Sequence, residues 1–248
     1  MKKNNATEVA RIEKFQDEIH AYIENLAEEK ELSNGDCKPI YDGIADIAGY
    51  VESHPKVMWI LKEAWGKRDE NGVMHGGGND IWECWTPGHF DTPTWLPMIY
   101  MIYGIRKGLE RVEYCDMPLA DMDMVNLLKK TVYINISKMP GDSISGKMNA
   151  KYMEWRDVVL KQVEAYNPDI IIFCGTFEAV KADFIDDNTT IIAKTPTEEI
   201  AHIYRDAKGR ILVNALHPAQ RRIPRDYYID EIVDQLRDIN NQSEEKMS

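Results

Sequence analysis

The sequence predicts an α/β protein: a three-layer α/β/α domain around a central, mostly parallel sheet. Three observations predict it. Predominantly apolar runs recur at Lys56–Leu61, Thr131–Ile136 and Asp169–Cys174, as in strands buried on both faces; half-exposed strands alternate instead. Longer segments between them carry apolar residues at steps of three and four, the period of a helix with one buried face. Strand and helix patterns thus alternate along the chain, the order expected of a parallel sheet covered on both sides.

Each element follows in order. From Thr7 to about Glu31, the residues Val9, Ile12, Phe15, Ile19, Ile23 and Leu26 mark an amphipathic helix, closed by a turn at Asn34-Gly35-Asp36. After the strand at Lys56–Leu61 comes a long segment, Lys62–Thr94, rich in Gly, Trp and charge. Loops of this length in compact domains are functional or disordered, and Trp65, Trp82, Trp85 and Trp95 in or beside it disfavour disorder. Helical patterns occupy about Trp95–Val112 and Asp121–Lys130, then the strand Thr131–Ile136, a loop over Ser137–Asp142 and a helix over Asn149–Tyr166. Gly175-Thr176 leads from the strand Asp169–Cys174 straight into another helix. Thr189–Ala193 is a weaker strand, and His202–Tyr204 and Arg210–Ala215 flank Asp206-Ala207-Lys208-Gly209 as a hairpin. A helix over about Asp226–Ile239 ends the fold, with 240–248 expected to fray. No repeat or linker divides the chain, so 1–248 is expected to be a single domain.

Composition narrows the class. At 248 residues and 44% hydrophobic content, the chain can bury a sizeable core. The start, Met1-Lys2-Lys3-Asn4-Asn5, lacks the apolar region of a signal peptide. No apolar run is long enough to span a bilayer, so a cytoplasmic protein without membrane contact is expected. Cys37, Cys84, Cys115 and Cys174 are scattered without C-x-x-C spacing, which excludes a compact zinc or iron–sulfur motif and argues against a disulfide framework. Cys174, inside an apolar strand, is expected to be core. The net charge of −12 opposes nucleic-acid binding, which usually needs a basic footprint. Yet His202–Arg225 holds six basic residues (Arg205, Lys208, Arg210, Arg221, Arg222, Arg225) against Asp206 alone, giving this stretch +5 and the remainder −17. These side chains either mark a site or are simply solvated.

Parallel sheets bind ligands beyond the carboxyl ends of their strands, so the segments after Leu61, Ile136, Cys174 and Ala215 share one rim. They read Lys62-Glu63-Ala64-Trp65-Gly66, Asn135 through Met139-Pro140-Gly141, Gly175-Thr176, and Leu216-His217-Pro218-Ala219-Gln220-Arg221-Arg222. In this order and strand context they resemble the uracil-DNA glycosylase superfamily, in particular its bacterial and archaeal iron–sulfur branch. That branch carries a G-E-A-P-G segment, an Asn followed by a basic Pro-Gly stretch, a Gly-containing strand end and a His-Pro-Ser loop. The resemblance spans about Lys56–Leu236. Lys62, Trp65 and Ala219 depart from the branch's Gly, Pro and Ser, and the cluster-binding cysteines are missing, so no metal and no cofactor is expected.

The resemblance implies a DNA glycosylase that removes uracil or a related damaged base, acting as a monomer on single- or double-stranded DNA. Such an enzyme extrudes the nucleotide, holds the base, stabilises its departing charge and places a water. Glu63 would orient or activate that water; its structural alternative is a surface salt bridge to Lys62 or Lys67. Asn135 would read the pyrimidine edge, or else cap its own loop. His217 would donate a hydrogen bond to the base oxygen, or else serve only its turn. Trp82, Trp85 or Phe90 would stack on the base, or pack the core. Lys62, Gly66, Gln220, Arg221 and Arg222 would contact DNA phosphate, with Ile223 as a wedge. The run Gly76-Gly77-Gly78 would let a backbone approach a ligand closely. Two other functions stay open: a non-catalytic nucleic-acid or nucleotide-binding domain, and a hydrolase of small nucleosides or nucleotides, for which an acidic surface is no handicap.

Overall fold

The computed structural model describes residues 2–33, 36–78, 80–107, 113–141, 148–195 and 200–245. Its helices are α1 (Lys2–Glu29), α2 (Ile47–Glu52), α3 (Trp95–Arg106), α4 (Met122–Lys129), α5 (Met148–Tyr166), α6 (Phe177–Phe184) and α7 (Arg225–Glu245). Its strands are β1 (Gly43–Ile44), β2 (Val57–Leu61), β3 (Lys67–Arg68), β4 (Met74–His75), β5 (Val132–Asn135), β6 (Ile170–Cys174), β7 (Thr190–Lys194), β8 (Ala201–Arg205) and β9 (Ile211–Ala215).

Seven strands form one sheet in the order β1-β5-β2-β6-β9-β8-β7. The pairs β5–β2, β2–β6 and β6–β9 are parallel, and β7 shares their direction; β1 and β8 run against it. The α/β expectation therefore holds, with a parallel centre and antiparallel edges. Every residue of β2, β5 and β6 is buried, which is why these strands read as nearly continuous apolar runs, broken only by Asn135 at the end of β5. Helices α3, α4 and α7 cover one face and α1, α2, α5 and α6 the other, giving two apolar clusters with the sheet between them. Among the described residues, no helix is long and apolar enough to cross a membrane.

Several boundaries differ from expectation. The first helix starts at Lys2, before Thr7, and the last continues to Glu245 instead of fraying beyond Ile239. The expected extension of α3 to Val112, the Asn34-Gly35 turn and Asp142 fall on residues outside those described. The elements β1 and α2 have no counterpart in the sequence pattern, because neither is long enough to show a period. Both are held by specific polar contacts. Gln16 of α1 accepts from the Ile44 N–H at 2.8 Å and donates to the Ile44 carbonyl at 3.1 Å, acting as a side-chain edge partner for β1. Asp46 caps α2 by accepting from the Gly49 N–H at 2.8 Å.

The long segment after β2 is ordered against the body of the protein. Trp85 and Trp95 pack edge-to-face at 5.4 Å between ring centroids and both meet Tyr133 of β5. The glycine run answers to the protein's own backbone. Gly76 and Gly78 exchange hydrogen bonds with the 36–39 segment, and Gly77, at φ +78°, lies where an added Cβ would meet the Lys38 carbonyl oxygen at 1.9 Å. The close approach read from the sequence is real, but its partner is the chain itself.

The deepest polar feature was invisible in the pattern. Asp42 and Lys138 are both 0% exposed. Lys138 Nζ donates to Asp42 Oδ1 at 3.0 Å, Asp42 Oδ2 at 2.8 Å and Gln162 Oε1 at 2.7 Å, which uses all three ammonium protons. Gln162 Nε2 donates to Asp42 Oδ1 at 2.8 Å, and the Asn135 backbone N–H donates to Asp42 Oδ2 at 2.7 Å. Burial pushes the Lys138 pKa down and the carboxylate beside it opposes that shift. Removing one partner of a buried pair strands the other charge, at a cost of about 3–5 kcal/mol. Asp42→Ala should therefore lower the urea unfolding free energy by about that amount, and adding Lys138→Met should recover part of it. Equal stability of the single and double variants would contradict this coupling.

Candidate active site

The carboxyl ends of β2, β5, β6 and β9 form one rim, as the registers Leu61↔Asn135, Ile60↔Phe173 and Cys174↔Ala215 require. From β2 the chain passes to β5 on one side, then recrosses to β6 on the other, so β2 and β6 flank the switch point where open α/β sheets bind ligands. The loops after these strands are stitched together. Ser137 N–H donates to the Lys62 carbonyl, and Gly66 N–H to that of Gly141 at 2.8 Å. Thr176 Oγ1 donates to the Ile60 carbonyl at 2.9 Å. Gly175, at φ +70°, lies so near the next loop that an added Cβ would meet the His217 backbone nitrogen at 3.3 Å. That glycine has a packing reason: it admits the histidine loop.

His217 is held in one tautomer. Its Nδ1 accepts from the Ala219 N–H at 3.1 Å, so the neutral ring carries its proton on Nε2. Burial, followed by the nearby Lys62 ammonium, drives its pKa down to about 4. The ring is thus a neutral hydrogen-bond donor at neutral pH, not an imidazolium acid. Tyr228 of α7 donates to the Leu216 carbonyl at 2.6 Å and anchors the loop from below.

Asn135, at the end of β5, is 0% exposed, and neither its amide nitrogen nor its amide oxygen has a partner. It follows Tyr133 by two residues and so faces the side of the sheet that carries Trp85 and Trp95. The indole nitrogen of Trp85 is also buried and unpartnered. An unmet buried polar group costs about 1–3 kcal/mol, and native proteins keep few of them. Asn135 does not cap its own loop: its backbone is fixed by Asp42, and its side chain is left unspent.

Glu63 is ion-paired, though not with Lys62 or Lys67. Lys151 Nζ of α5 meets its Oε1 at 2.9 Å, and the glutamate side chain is 3% exposed. Gly141 lies so close that an added Cβ there would meet the Glu63 Cγ at 2.6 Å, whereas Trp65 is 72% exposed. Trp85 is core, whereas Trp82 and Phe90 are partly buried against the same apolar cluster. Gly66 is buried against Pro140 and Met74. The Gln220 amide folds its own loop: Oε1 accepts from the N–H groups of Arg222 and Ile223, and Nε2 donates to the Ile223 carbonyl. Arg221 and Arg222 are exposed. A cavity of about 210 Å³ opens between Pro93 and the 218–223 loop, with Arg221 and Arg225 on its wall. Glu63, Asn135 and His217 share the rim but do not line that cavity.

The basic stretch is divided by the β8–β9 hairpin. Arg221, Arg222 and Arg225 follow the carboxyl end of β9, whereas Arg205, Lys208 and Arg210 sit at its opposite end, where Arg210 pairs with Asp206 at 2.6 Å. A five-residue strand puts about 13 Å between these ends, so the local +5 is not one footprint. Among the described cysteine side chains, Cys174 and Cys37 lie in separate apolar clusters and Cys115 is exposed, so these three do not converge. Sequence reasoning missed Asp42, Lys138, Gln162 and Lys151. One signal existed: Gln162 falls on the buried stripe of α5 with Trp155, Val158, Val159 and Tyr166, where a polar side chain needs a buried partner.

Comparison with protein families, curated proteins and solved structures finds no match for this chain.

The His217 pKa has a consequence for stability. The unfolded ring protonates near its ordinary value of 6.5, the folded ring only near 4. The folded state is therefore unaffected by this group above pH 6.5 and loses stability as pH falls from 6.5 toward 4, by up to about 3 kcal/mol. Urea unfolding at pH 7.5 and pH 4.5 should show a smaller acid loss for His217→Gln than for the unsubstituted protein. An identical loss in both would contradict the buried neutral ring.

Proposed function

We propose that this chain is a hydrolase of the uracil-DNA glycosylase kind, cleaving the N-glycosidic bond of uracil or a related damaged base in DNA. The observation that carries the reading is Asn135: a buried amide at the carboxyl rim whose donor and acceptor are both unspent. A pyrimidine edge presenting a carbonyl beside an N–H satisfies such an amide at both ends. The aromatic side chains on that face supply the apolar surround that a flipped base requires. Trp82 and Phe90, only partly buried, are the better placed to stack on it.

The other residues fill complementary roles. As the glycosidic bond breaks, its electron pair leaves with the base and charge gathers on the base oxygen. The Nε2–H of His217 donates to that oxygen, which a neutral, preorganised ring does without first losing a proton. The Glu63 carboxylate, held by Lys151, accepts a proton from the water that attacks the sugar carbon, and the base takes up a proton on release. Arg221 and Arg222 border the rim where a phosphate backbone would run. The net charge of −12 and the divided basic stretch favour one second reading, a hydrolase of free nucleosides or nucleotides using the same residues.

The test is incubation with uracil-containing single- and double-stranded oligonucleotides, scoring abasic sites. Abasic sites that fall about 10²–10³-fold with His217→Ala, and also fall with Asn135→Ala, support the proposal. Release of base from free nucleosides but not from oligonucleotides would move the activity to the second reading. Salt-sensitive binding without abasic sites would leave a non-catalytic domain.

A further inference from the structure

A second and larger cavity lies at the other end of the sheet. It holds about 470 Å³, within the range of small-molecule sites. It opens where β6 and β9 begin, between the last turn of α3 and the C-terminal half of α7. Much of its lining is aliphatic, from Ile105, Ile170, Ile211, Val233, Leu236 and Ile239, and among the described residues the only aromatic ring on it is the imidazole of His54.

Its charged groups are unequal. Arg106, Arg205 and Arg237 line it against Asp169, in a chain whose net charge is −12. Arg237 is partly neutralised by Asp234, 2.6 Å away on the same helix. Asp169 accepts from the Lys56 N–H at 2.7 Å. Arg205 has a distant carbonyl contact at Gly209, 3.5 Å from Nη1. Arg106 donates through Nη1 to the Pro55 carbonyl at 2.7 Å, while its Nη2 is sealed from solvent without a partner. Burial lowers the Arg106 pKa, and Asp169 opposes that shift. A buried guanidinium with an unspent donor is a costly arrangement that an acceptor relieves.

We propose that this cavity binds an aliphatic anion, with an acyl carboxylate or alkyl phosphate head at Arg106 and Arg205 and its chain along the isoleucine and leucine wall. With the small imidazole of His54 as the only aromatic ring among the described lining residues, the cavity offers a nucleobase little stacking surface. The long aliphatic wall favours a body that gains from apolar burial alone. A planar guanidinium fork matches either head group. This site is independent of the rim chemistry, because it lies beyond the amino ends of the strands and uses none of the rim residues.

The experiment is calorimetric titration of the full chain with decanoate, decyl phosphate, decanol and inorganic phosphate. Saturable one-to-one binding of decanoate or decyl phosphate is expected, with decanol and inorganic phosphate each at least tenfold weaker. Whichever anion binds more tightly identifies the head group. Arg205→Gln, on the hairpin and away from the core, should weaken binding at least tenfold. Arg106→Met should do the same where its circular dichroism and melting profile match the unsubstituted protein. No saturable binding, equal binding of decanol, or affinity unchanged by Arg205→Gln would overturn the proposal.

Discussion

The buried pair between Asp42 and Lys138 is the constraint on which the rim depends. Both groups are fully enclosed, and each directs its hydrogen bonds to the other and to Gln162. The pair joins the segment before β1, the loop after β5 and helix α5, three parts of the chain far apart in sequence. Through Asp42 Oδ2 it also fixes the Asn135 backbone N–H. A buried ion pair is weak evidence for stability, since well-packed apolar residues often do as well. Its contribution here is geometric: it holds a strand end still.

Around that point the rim combines rigidity with unspent polarity. His217 is locked in one tautomer by Ala219, Glu63 is held by Lys151, and Gln220 is consumed by its own loop. Among the described residues, Asn135 alone presents two unsatisfied buried side-chain atoms, and it is sealed. A ligand that pairs with it must first displace part of its covering, and the energy of two new hydrogen bonds in a low-dielectric site can drive that opening.

Electrostatics divides the molecule along the strands. The β8–β9 hairpin carries half of the basic stretch away from the rim and delivers Arg205 to the wall of the larger cavity. An acidic protein therefore has two local departures from its overall sign, at opposite ends of one sheet. Their surroundings differ: the rim has several large aromatic rings beside it, whereas the apolar lining of the lower cavity is mainly aliphatic.

The sequence by itself determined the layers and the strand centres. The runs at Val57–Leu61, Val132–Ile134 and Ile170–Cys174 are apolar at every position because both faces are buried, and that pattern needs no long-range information. It also placed Glu63, Asn135, Gly175 and His217 on one rim, since parallel strands put their following loops on the same side. Only the tertiary structure decided what those residues touch. Lys151 reaches Glu63 across 88 positions and Gln162 reaches Asp42 across 120, and no local period encodes such a meeting. The glycine run and the basic stretch show the same limit: composition announced close approach and positive charge, but chain reversal decided which backbone was approached and where the charge went.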